Sequence, residues 1–372
     1  MGEKGISIEV GSKTILDAKS HQPKDVNLSM YWEAWNKLKE RSVQNIDNNT
    51  LVQGSISGLL SSLDDPYTLY MSNEENSRFR EDIHGEFSGV GMELVQKNGF
   101  PTVVAPIADT PADKAGIKPG DIILEVDGND TSKLGFDETI DKIRGTEGSK
   151  VTLKILREGE ADSLTIEIIR SKITIKSVEW DYKNISGKKI LNVKVRQFGD
   201  DTDSLFASMA KDAVSQKPDG IILDLRNNPG GYLETAVNLA SYFITDGVVV
   251  SEKGKTDRDY KSNGNGSLKD FNVVVLANNG SASAAEILSG ALRDRKQSKI
   301  IGEKTFGKGS VQELIDLSDG SAIKVTVAKW YTPAGSQING EGLKPDIEIK
   351  NEDGSKVDAQ LNRAEEFLTT GK

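Results

Sequence analysis

Residues 278–286 have the sequence NNGSASAAE. They follow an apolar run, residues 273–276, and precede a segment with helical apolar spacing, residues 287–292. This pattern predicts a serine-bearing turn between a buried strand and a helix. At such a turn the first N–H groups of the helix lack partners within it, so they can stabilise a developing oxyanion. A serine here is a candidate nucleophile, and it needs a base.

The composition restricts that base. The chain has no cysteine and only two histidines, His21 and His84, both far upstream of the turn. A thiol nucleophile and cysteine-ligated metals are therefore excluded, and two isolated histidines leave zinc short of ligands, so no metal site is predicted. A Ser-His-Asp arrangement would require one histidine to be brought to the turn by folding back. Lysine is the other candidate base.

The overall composition is that of a soluble globular protein. The 372 residues predict two or three domains, with 36% hydrophobic and 28% charged residues. The formal net charge of −10 argues against a nucleic-acid partner. No apolar run approaches the roughly 18 residues of a membrane span. The opening MGEK looks like an added start, so we expect that a targeting or membrane-anchoring segment was removed from the N-terminus.

Four segments are predicted along the chain. An amphipathic helix within residues 25–41 carries Trp32 and Trp35 on one face, which suits packing against a domain or a partner subunit. Further helices are predicted at residues 51–63 and 73–82. The predicted segments are an N-terminal arm and helical segment (1–84), a small β domain (85–171), an α/β core (172–350) and a polar C-terminal tail with a weak amphipathic helix (351–372).

The small β domain resembles a PDZ domain. Short β-like runs alternate with glycine and proline, and Asn98-Gly99 is a strong hairpin signal. The resemblance rests on the loop of Gly89, Val90 and Gly91, which leads into Met92, and on the segment AGIKPGD at residues 115–121. It implies that loop N–H groups capture a peptide's C-terminal carboxylate while a strand edge pairs with its last residues. A β domain without a ligand is the alternative.

The core shows the pattern of parallel βαβ units. An unbroken apolar strand, residues 219–225, ends in RNNPGG (226–231) and is followed by a predicted helix at residues 232–243. The serine turn follows the next strand. Because loops at the carboxyl ends of parallel strands meet at one sheet edge, Gly230 and Gly231 should lie beside that turn.

Lys308 is the candidate base. Residues 302–308, GEKTFGK, match a P-loop up to the lysine, but Gly309 replaces the Ser/Thr that binds magnesium, and a strand rather than a helix is predicted to follow. A lysine with a reference pKa of about 10.4 accepts a proton at pH 7 only if burial lowers that pKa. Phe306 and the flanking glycines would allow an apolar approach. Gln312 could orient the amine without raising its pKa, as a carboxylate would.

The residues alone leave the nucleophile open. Ser283 and Glu286 also form a capping box, in which a serine serves only as a helix cap. Ser281 competes with Ser283 as the nucleophile.

The combined motifs resemble the carboxyl-terminal processing (tail-specific) serine proteases with an inserted PDZ domain. The resemblance spans roughly residues 28–350 and is carried by four stretches, DLRNNPGG (224–231), SASAAE (281–286), TFGKGSVQ (305–312) and YTPAG (331–335) together with GLKPD (342–346). Ala285 departs from the serine usual in the family. The resemblance implies an α+β multidomain protein: an N-terminal helical segment, a PDZ domain and an α/β protease core with βαβ units of the crotonase/ClpP-like kind.

The family's site maps onto named residues. Its nucleophile maps onto Ser283, its lysine base onto Lys308, 25 residues further on (308 − 283), and its orienting glutamine onto Gln312. Its oxyanion hole maps onto backbone N–H groups around Gly230, Gly231 and Ala284. The implied function is a serine endopeptidase with a Ser-Lys dyad that forms an acyl-enzyme. It would recognise the apolar C-termini of protein substrates through the loop from Gly89 to Met92.

The resemblance also implies properties beyond the site. No metal or cofactor is expected, the family usually works outside the cytoplasm, and a homo-oligomer is a further expectation. A non-catalytic scaffold that binds C-terminal peptides through the PDZ domain, with an inactive core, is the alternative class of function.

Overall fold

The computed structural model describes residues 25–84, 86–160, 162–352 and 357–371. The predicted arm at residues 1–24, with His21, lies outside the described residues, as does the side chain of His84. The described chain forms two compact units, one ending at Ser62 and the other beginning at Leu63. Within the described residues, no helix is long and apolar enough to cross a membrane.

The first unit contains two helices, α1 (Ser29–Arg41) and α2 (Asn48–Ser61). The Asp47 side chain caps α2 by accepting from the N–H of Thr50 at 3.1 Å. No residue of α1 is buried, and Trp32 packs edge-on against Trp35 while staying 48% exposed. The predicted helices are confirmed, and the apolar face of α1 is uncovered in the described chain.

The second unit opens with β1 (Leu69–Met71) and α3 (Asn73–His84) and continues into the PDZ-like domain. The elements of that domain are β2 (Glu86–Gly89), β3 (Met92–Lys97), β4 (Phe100–Pro106), α4 (Pro111–Lys114), β5 (Ile122–Val126), β6 (Asn129–Asp130), α5 (Phe136–Ile143), β7 (Lys150–Leu156), β8 (Leu164–Ile169) and β9 (Ser171–Thr174). The sheet order is β3-β4-β5-β7-β8, with β6 beside β5. The domain therefore has its own sheet, and β3 lies at its edge.

Two features of this domain agree with the sequence. Asn98 and Gly99 both have positive φ, 52° and 82°, which is the geometry of a tight hairpin turn, and they join β3 to β4. The core contains fully buried Ile123, Leu153 and Ile155. β2 pairs with β9, so the chain enters and leaves the domain through one short antiparallel ladder.

The α/β core follows. Its elements are β10 (Val178–Ile185), β11 (Lys188–Val195), α6 (Thr202–Gln216), β12 (Gly220–Asp224), α7 (Leu233–Phe243), β13 (Val248–Gly254), β14 (Arg258–Lys261), β15 (Val273–Ala277), α8 (Ala284–Lys296), β16 (Lys299–Gly302), β17 (Ser310–Asp316), β18 (Ala322–Tyr331), β19 (Ile347–Glu348) and α9 (Ala359–Thr370).

The main sheet has the order β10-β11-β12-β15-β16-β19, and the strands from β11 to β19 are parallel. Its central strand β15 is apolar and fully buried, and β12 is apolar and buried up to its last residue, Asp224, as the unbroken sequence runs predicted. Residues of α6, α7 and α8 pack in the larger core cluster on one face, and α9 packs on the other. The predicted βαβ arrangement is confirmed.

A second sheet carries the lysine segment. Its strand order is β1-β18-β13-β14, and β17 also pairs with β18. The sequence analysis did not find β13 and β14, because polar residues interrupt their apolar pattern.

The C-terminal helix is part of the core packing. In α9, Ala364 is fully buried, and the helix packs against a cluster that includes Ile222 and Leu276. Just before α9, Asp358 pairs with Arg226 at 2.8 Å. The segment that the sequence marked as a polar tail therefore covers one face of the sheet.

Candidate active site

A cavity of about 620 Å³ lies where the main sheet meets the second sheet. All six core residues predicted for catalysis line it: Gly230, Gly231, Ser283, Ala284, Lys308 and Gln312. The apolar part of the lining includes Phe198, Ile287, Val311, Leu314 and Trp330. The chain thus brings the two glycines, the serine turn and the lysine segment to one cleft.

The serine turn is held in an unusual backbone conformation. Ser283 has φ 53° and ψ −116°, a sparsely populated region for a non-glycine residue. Half of the predicted capping box forms: the Glu286 carboxylate accepts from the N–H of Ser283 at 3.0 Å, whereas the Glu286 N–H donates to the Ser283 carbonyl at 2.9 Å and not to its hydroxyl. A Cβ added at Gly230 would lie 2.7 Å from the Ser283 Cβ, so only glycine allows this approach. The predicted meeting of the glycine loop and the serine turn is confirmed.

Ser281 and Ser283 have different surroundings. Ser281 is fully buried; its Oγ donates to the carbonyl of Leu225 at 2.7 Å and accepts from the N–H of Asn278 at 2.9 Å. Ser283 is partly exposed and lines the cavity. Ser281 therefore holds the turn against the end of β12, whereas Ser283 faces the cleft.

The glycine loop supplies backbone donors. The N–H of Gly230 donates to Asn228 Oδ1 at 2.9 Å, and the buried Asn228 amide donates in turn to the carbonyl of Val195. Gly231 has φ 136°, and a Cβ there would come within 2.2 Å of the Phe198 carbonyl. Within the described chain, no acceptor is recorded for the N–H of Gly231 or of Ala284. Of the three backbone N–H groups predicted for the oxyanion hole, that of Gly230 is used inside the loop. Those of Gly231 and Ala284 remain as candidates.

Lys308 is partly buried and lines the same cavity. Desolvation lowers the pKa of its ammonium, and the charge of Glu286 partly opposes this. Among the described residues, Lys308 has no ion pair within 4 Å and its Nζ has no hydrogen bond to Ser283; the Nζ lies 5.9 Å from the centre of the Tyr67 ring. Phe306, which together with the flanking glycines was expected to allow an apolar approach, is 58% exposed. The cavity walls provide the burial instead.

Gln312 is not hydrogen-bonded to Lys308, as the sequence predicted, but to other residues. Its Nε2 donates to Ser310 Oγ at 2.6 Å and lies 3.5 Å from Thr326 Oγ1. The side chain is therefore in the cavity, but its amide is bonded along the β17–β18 ladder and not to Lys308.

Glu286 joins the serine turn to the lysine segment. Its carboxylate, fully buried, accepts from the N–H groups of Ser283 (3.0 Å), Gly307 (2.8 Å) and Lys308 (3.0 Å) and from the hydroxyl of Thr305. Burial raises the pKa of this carboxyl, and the four donors act in the opposite direction. The sequence identified Glu286 only as a cap, and nothing in the spacing showed that it reaches the lysine segment.

The structure argues against a P-loop at residues 302–308. Lys308 is followed by a strand, β17, whereas a P-loop lysine opens a helix. A Cβ at Gly309 would lie 2.0 Å from the Asn339 nitrogen, so this glycine serves close packing of two loops. Within the described residues, no group of three or more His, Asp or Glu side chains is placed to hold a metal ion.

The predicted peptide-binding residues lie apart from this cleft, at the start of edge strand β3. The carbonyl of Gly91 accepts from Ile107 N–H (3.0 Å) and Thr110 Oγ1 (2.9 Å), and the carbonyl of Val90 accepts from Ala112 N–H (2.8 Å). A Cβ at Gly91 would come within 2.5 Å of Thr110. Gly89, Val90, Gly91 and Met92 thus form a fixed loop beside an open strand edge, the arrangement that peptide capture requires.

Two cavity-lining residues were missed by the sequence analysis, Lys324 and Phe79. Lys324 lies in the alternating pattern of β18, two residues from Thr326, and alternation alone does not say which face of a strand meets a cleft. Phe79 was read as part of a polar helix.

A serine at a strained strand-to-helix turn, two backbone donors and a partly desolvated lysine are the groups that a serine peptidase needs, and they meet in one cleft. Models of known families agree: "Peptidase family S41" matches residues 189–349, "PDZ domain" matches residues 102–157 and "Activating protease CtpB N-terminal domain" matches residues 7–75.

Relatives point the same way. A protein of Staphylococcus epidermidis described as "Probable CtpA-like serine protease" is 39% identical over 327 residues, which are 87% of this chain and 65% of that protein. One of Staphylococcus aureus with the same description is 39% identical over 332 residues, with the same coverage. The chain thus spans just under two thirds, 65%, of the length of these curated relatives.

Among solved structures, the photosystem II D1 C-terminal processing protease matches with 32% identity and a TM-score of 0.57, over 87% of this chain and 89% of that one. The chain belongs to peptidase family S41, within the carboxyl-terminal processing type that carries a PDZ domain. The predicted α+β multidomain fold class is confirmed with it.

Proposed function

We propose that this protein is a serine endopeptidase that cleaves protein substrates with a Ser283–Lys308 dyad. The observation that carries the proposal is the shared cavity, in which Ser283, a desolvated lysine and the backbone donors of Gly231 and Ala284 face one space. Ser281 is set aside as the nucleophile because both hydrogen-bonding capacities of its hydroxyl are used in the fold.

The reaction proceeds through an acyl-enzyme. Ser283 Oγ attacks the scissile carbonyl carbon while its proton passes to the neutral amine of Lys308. The N–H groups of Gly231 and Ala284 stabilise the oxyanion of the tetrahedral intermediate. The intermediate collapses, the C–N bond breaks, and the Lys308 ammonium returns the proton to the leaving amine. Lys308 then takes a proton from water as the water oxygen attacks the acyl carbon; the C–Oγ bond breaks, and the Lys308 ammonium returns the proton to Ser283 Oγ.

Catalysis requires a rearrangement on the lysine side. Ser283 and Lys308 are not hydrogen-bonded in the described structure, and Gln312 is bonded to Ser310. We propose that substrate binding brings the amine within hydrogen-bonding reach of Ser283 Oγ and turns the Gln312 amide towards it, which would orient the lysine without adding a charge.

We further propose that the PDZ domain binds the apolar C-terminal tail of a substrate at the loop from Gly89 to Met92. The fixed loop and the open edge of β3 support this role. Substrates that differ only in a free or an amidated C-terminus test it. Cleavage should be faster for the free carboxylate, and equal rates would count against the PDZ role.

Two wider properties are also proposals. The exposed apolar residues of α1, such as Met30 at 80% exposure, support assembly with a further copy or with a membrane-bound segment. Family membership supports work outside the cytoplasm. Sedimentation of the purified chain tests the first property, and fractionation of cells expressing the full-length protein tests the second.

Proteolysis of an unfolded protein tests the catalytic proposal against the non-catalytic scaffold. The wild type should cleave it, Ser283→Ala should not, and Ser281→Ala should retain Ser283-dependent turnover if it folds. Circular dichroism checks the fold of each variant. A folded wild type without activity, or a fully active Ser283→Ala variant, would contradict the proposal.

A further inference from the structure

The proposed active-site cleft contains basic side chains and no acidic ones. Of the described residues that line the cavity, only Lys308 and Lys324 have a basic side chain, and none has a carboxylate. The chain as a whole is acidic, with a formal net charge of −10. Because the charge of the cleft is opposite in sign to that of the chain, the cleft favours a negatively charged group of a substrate.

Lys324 lies in the wall of this cleft, on β18. Its Cα pairs in register with that of Leu314 on β17, and Leu314 lines the same cavity. The Lys324 side chain is half-buried, and its Nζ lies 5.2 Å from the centre of the Phe79 ring, which also lines the cavity. An aromatic ring at this distance packs against a lysine without neutralising its charge. The charged group is therefore held at the wall of the cleft.

The Lys324 ammonium has no counterion in the described chain. Among the residues that the structure describes, no carboxylate lies within 4 Å of its Nζ, and the Nζ donates no hydrogen bond. Burial, and then the charge of Lys308, lower the pKa of Lys324 to about 8, and no carboxylate opposes this shift. The amine is therefore mostly protonated at pH 7, and it is a cation without a partner.

Carboxylates of neighbouring segments are engaged elsewhere. On β17, Asp316 accepts from Arg80 at 2.7 and 2.9 Å. Glu313 lies between two cavity-lining residues of β17, so strand alternation places it on the other face, where it is exposed. Asp65 accepts from a threonine hydroxyl at 2.6 Å, and the four hydrogen bonds of Glu286 come from other donors. None of these groups neutralises Lys324.

We propose that Lys324 binds a carboxylate of the substrate close to the scissile bond, either the side chain of an acidic residue or a terminal carboxylate. The proposal rests on the proposed function, because it requires a substrate chain to lie in the cleft that Ser283 faces. Under that function Lys308 acts as a neutral base, so Lys324 is the cation that remains to hold a negative charge. A charge-assisted hydrogen bond to a half-buried ammonium is stronger than one at an open surface.

Peptides that differ by a single charge test the inference. An amidated peptide that spans a mapped cleavage site would carry glutamate or glutamine at successive positions on either side of the scissile bond. At the position that meets Lys324, the wild type should cleave the glutamate form with a kcat/KM about tenfold higher than the glutamine form. In Lys324→Met the two forms should be cleaved equally, with the glutamine form cleaved as in the wild type.

Two variants control for this comparison. Lys324→Arg keeps the positive charge and should keep the preference for glutamate. Lys329→Met removes an exposed lysine of the same strand and should also leave the preference unchanged. A merely structural role of Lys324 would lower the cleavage of both peptide forms alike. Circular dichroism checks the fold, and Lys324→Gln replaces Lys324→Met if the latter does not fold.

A second series of peptides identifies the source of the carboxylate. Short peptides that end a few residues beyond the scissile bond would carry a free or an amidated C-terminus. If the terminal carboxylate is the ligand, the free form should be preferred about tenfold, and Lys324→Met should lose this preference. A preference that arises in the PDZ domain would instead persist in Lys324→Met.

A third measurement does not depend on turnover. Fluorescence anisotropy would compare the affinity of the labelled glutamate and glutamine peptides for Ser283→Ala and for Ser283→Ala combined with Lys324→Met. The glutamate form should bind the first protein about tenfold more tightly than the glutamine form, and both forms should bind the second protein equally.

Two results would overturn the inference. One is a wild type that shows no preference for the carboxylate in either peptide series. The other is a preference for the carboxylate in both series that Lys324→Met retains in full. Absence of cleavage by the wild type would instead contradict the proposed function, and the anisotropy comparison would still test Lys324.

Discussion

The serine side and the lysine side of the cleft are held in place by different means. On the serine side, backbone groups fix the reacting atoms: Glu286 accepts from Ser283 N–H, and Gly230 packs directly against the Ser283 Cβ. On the lysine side, long side chains carry the chemistry, with the Lys308 Nζ near the Tyr67 ring and Gln312 bonded to Ser310. Under the proposed mechanism, the oxyanion site is preformed, whereas the base is brought into position when substrate binds.

Loss of the base should have the largest effect on activity. Lys308→Ala should lower kcat/KM on the order of 10³-fold, because no other general base is assigned to Ser283. Proteolysis of an unfolded substrate at pH 8 measures it. Lys304→Ala, an exposed lysine of the same segment, is the control and should cleave normally. If Lys308→Ala kept full activity, the dyad would be excluded.

A change at Glu286 should break the connection between the two sides. All four partners of its carboxylate are donors, so the NH₂ group of Glu286→Gln would meet donors and leave some unsatisfied. Each unsatisfied buried donor costs about 1–3 kcal/mol, and a displaced lysine segment should lower kcat roughly 10²-fold. Thermal unfolding and kcat measure the two effects.

The exposed Glu234 in the first turn of α7 offers a matched control for that change. Glu234→Gln should leave kcat and the unfolding temperature within error of the wild type. A Glu286→Gln enzyme equally unaffected would mean that the two sides of the cleft are positioned independently of each other.

A charge placed at Gln312 should alter the base without removing it. In Gln312→Glu a carboxylate would face Lys308 and stabilise its ammonium, which raises the pKa of the lysine. The acid limb of kcat/KM should then move upward by about one pH unit, whereas Gln312→Ala should lower the rate with little movement of the limb. Coincident limbs for Gln312→Glu and the wild type would show that this side chain never approaches the amine.

The smallest expected effect is on stability, and it comes from Asp358, which pairs with Arg226 behind the serine side of the cleft. Burial acts against ionisation of Asp358, but its hydrogen bond to Arg226 prevails and lowers the pKa of the carboxyl to about 2. Because the folded pKa is depressed, the contribution to stability is present above the unfolded value of about 3.9 and is lost as pH falls towards 2.

Asp358→Asn should therefore lower the free energy of unfolding by about 1 kcal/mol at pH 7, after allowance for solvent screening, with little change near pH 2. Urea unfolding at both pH values measures this. Asp270→Asn, at an exposed ion pair, should have no effect at either. A pH-independent difference for Asp358→Asn would indicate that packing, not charge, joins α9 to the glycine loop.

The same contrast explains what the sequence could predict. Apolar runs and turn residues located the strands around Ser283, and βαβ logic placed Gly230 beside it, because these features depend on local pattern and chain order. Glu286 could not be assigned in this way, because its hydrogen bonds join segments that are distant in sequence. Phe306 shows the converse case, since this residue near Lys308 was expected to allow an apolar approach and its side chain is largely exposed.

The resemblance to the protease family helped where the residues alone left alternatives open. The residues alone did not separate Ser281 from Ser283; the family motif favours Ser283, and the hydrogen bonds of Ser281 agree with that choice. The sequence pattern placed Gly230 in the oxyanion hole but could not show that its N–H is already used. That N–H donates to the Asn228 side chain, a contact that residue spacing does not predict.

Covalent labelling of the nucleophilic serine tests the central claim most directly. The wild type would be treated with a fluorophosphonate probe at pH 8 and the modified peptide located by mass spectrometry, beside Ser283→Ala and Lys308→Ala. We predict a single adduct on Ser283 in the wild type, none in Ser283→Ala, and labelling slowed by orders of magnitude in Lys308→Ala. An adduct on Ser281, or equal labelling rates in the wild type and Lys308→Ala, would contradict the account.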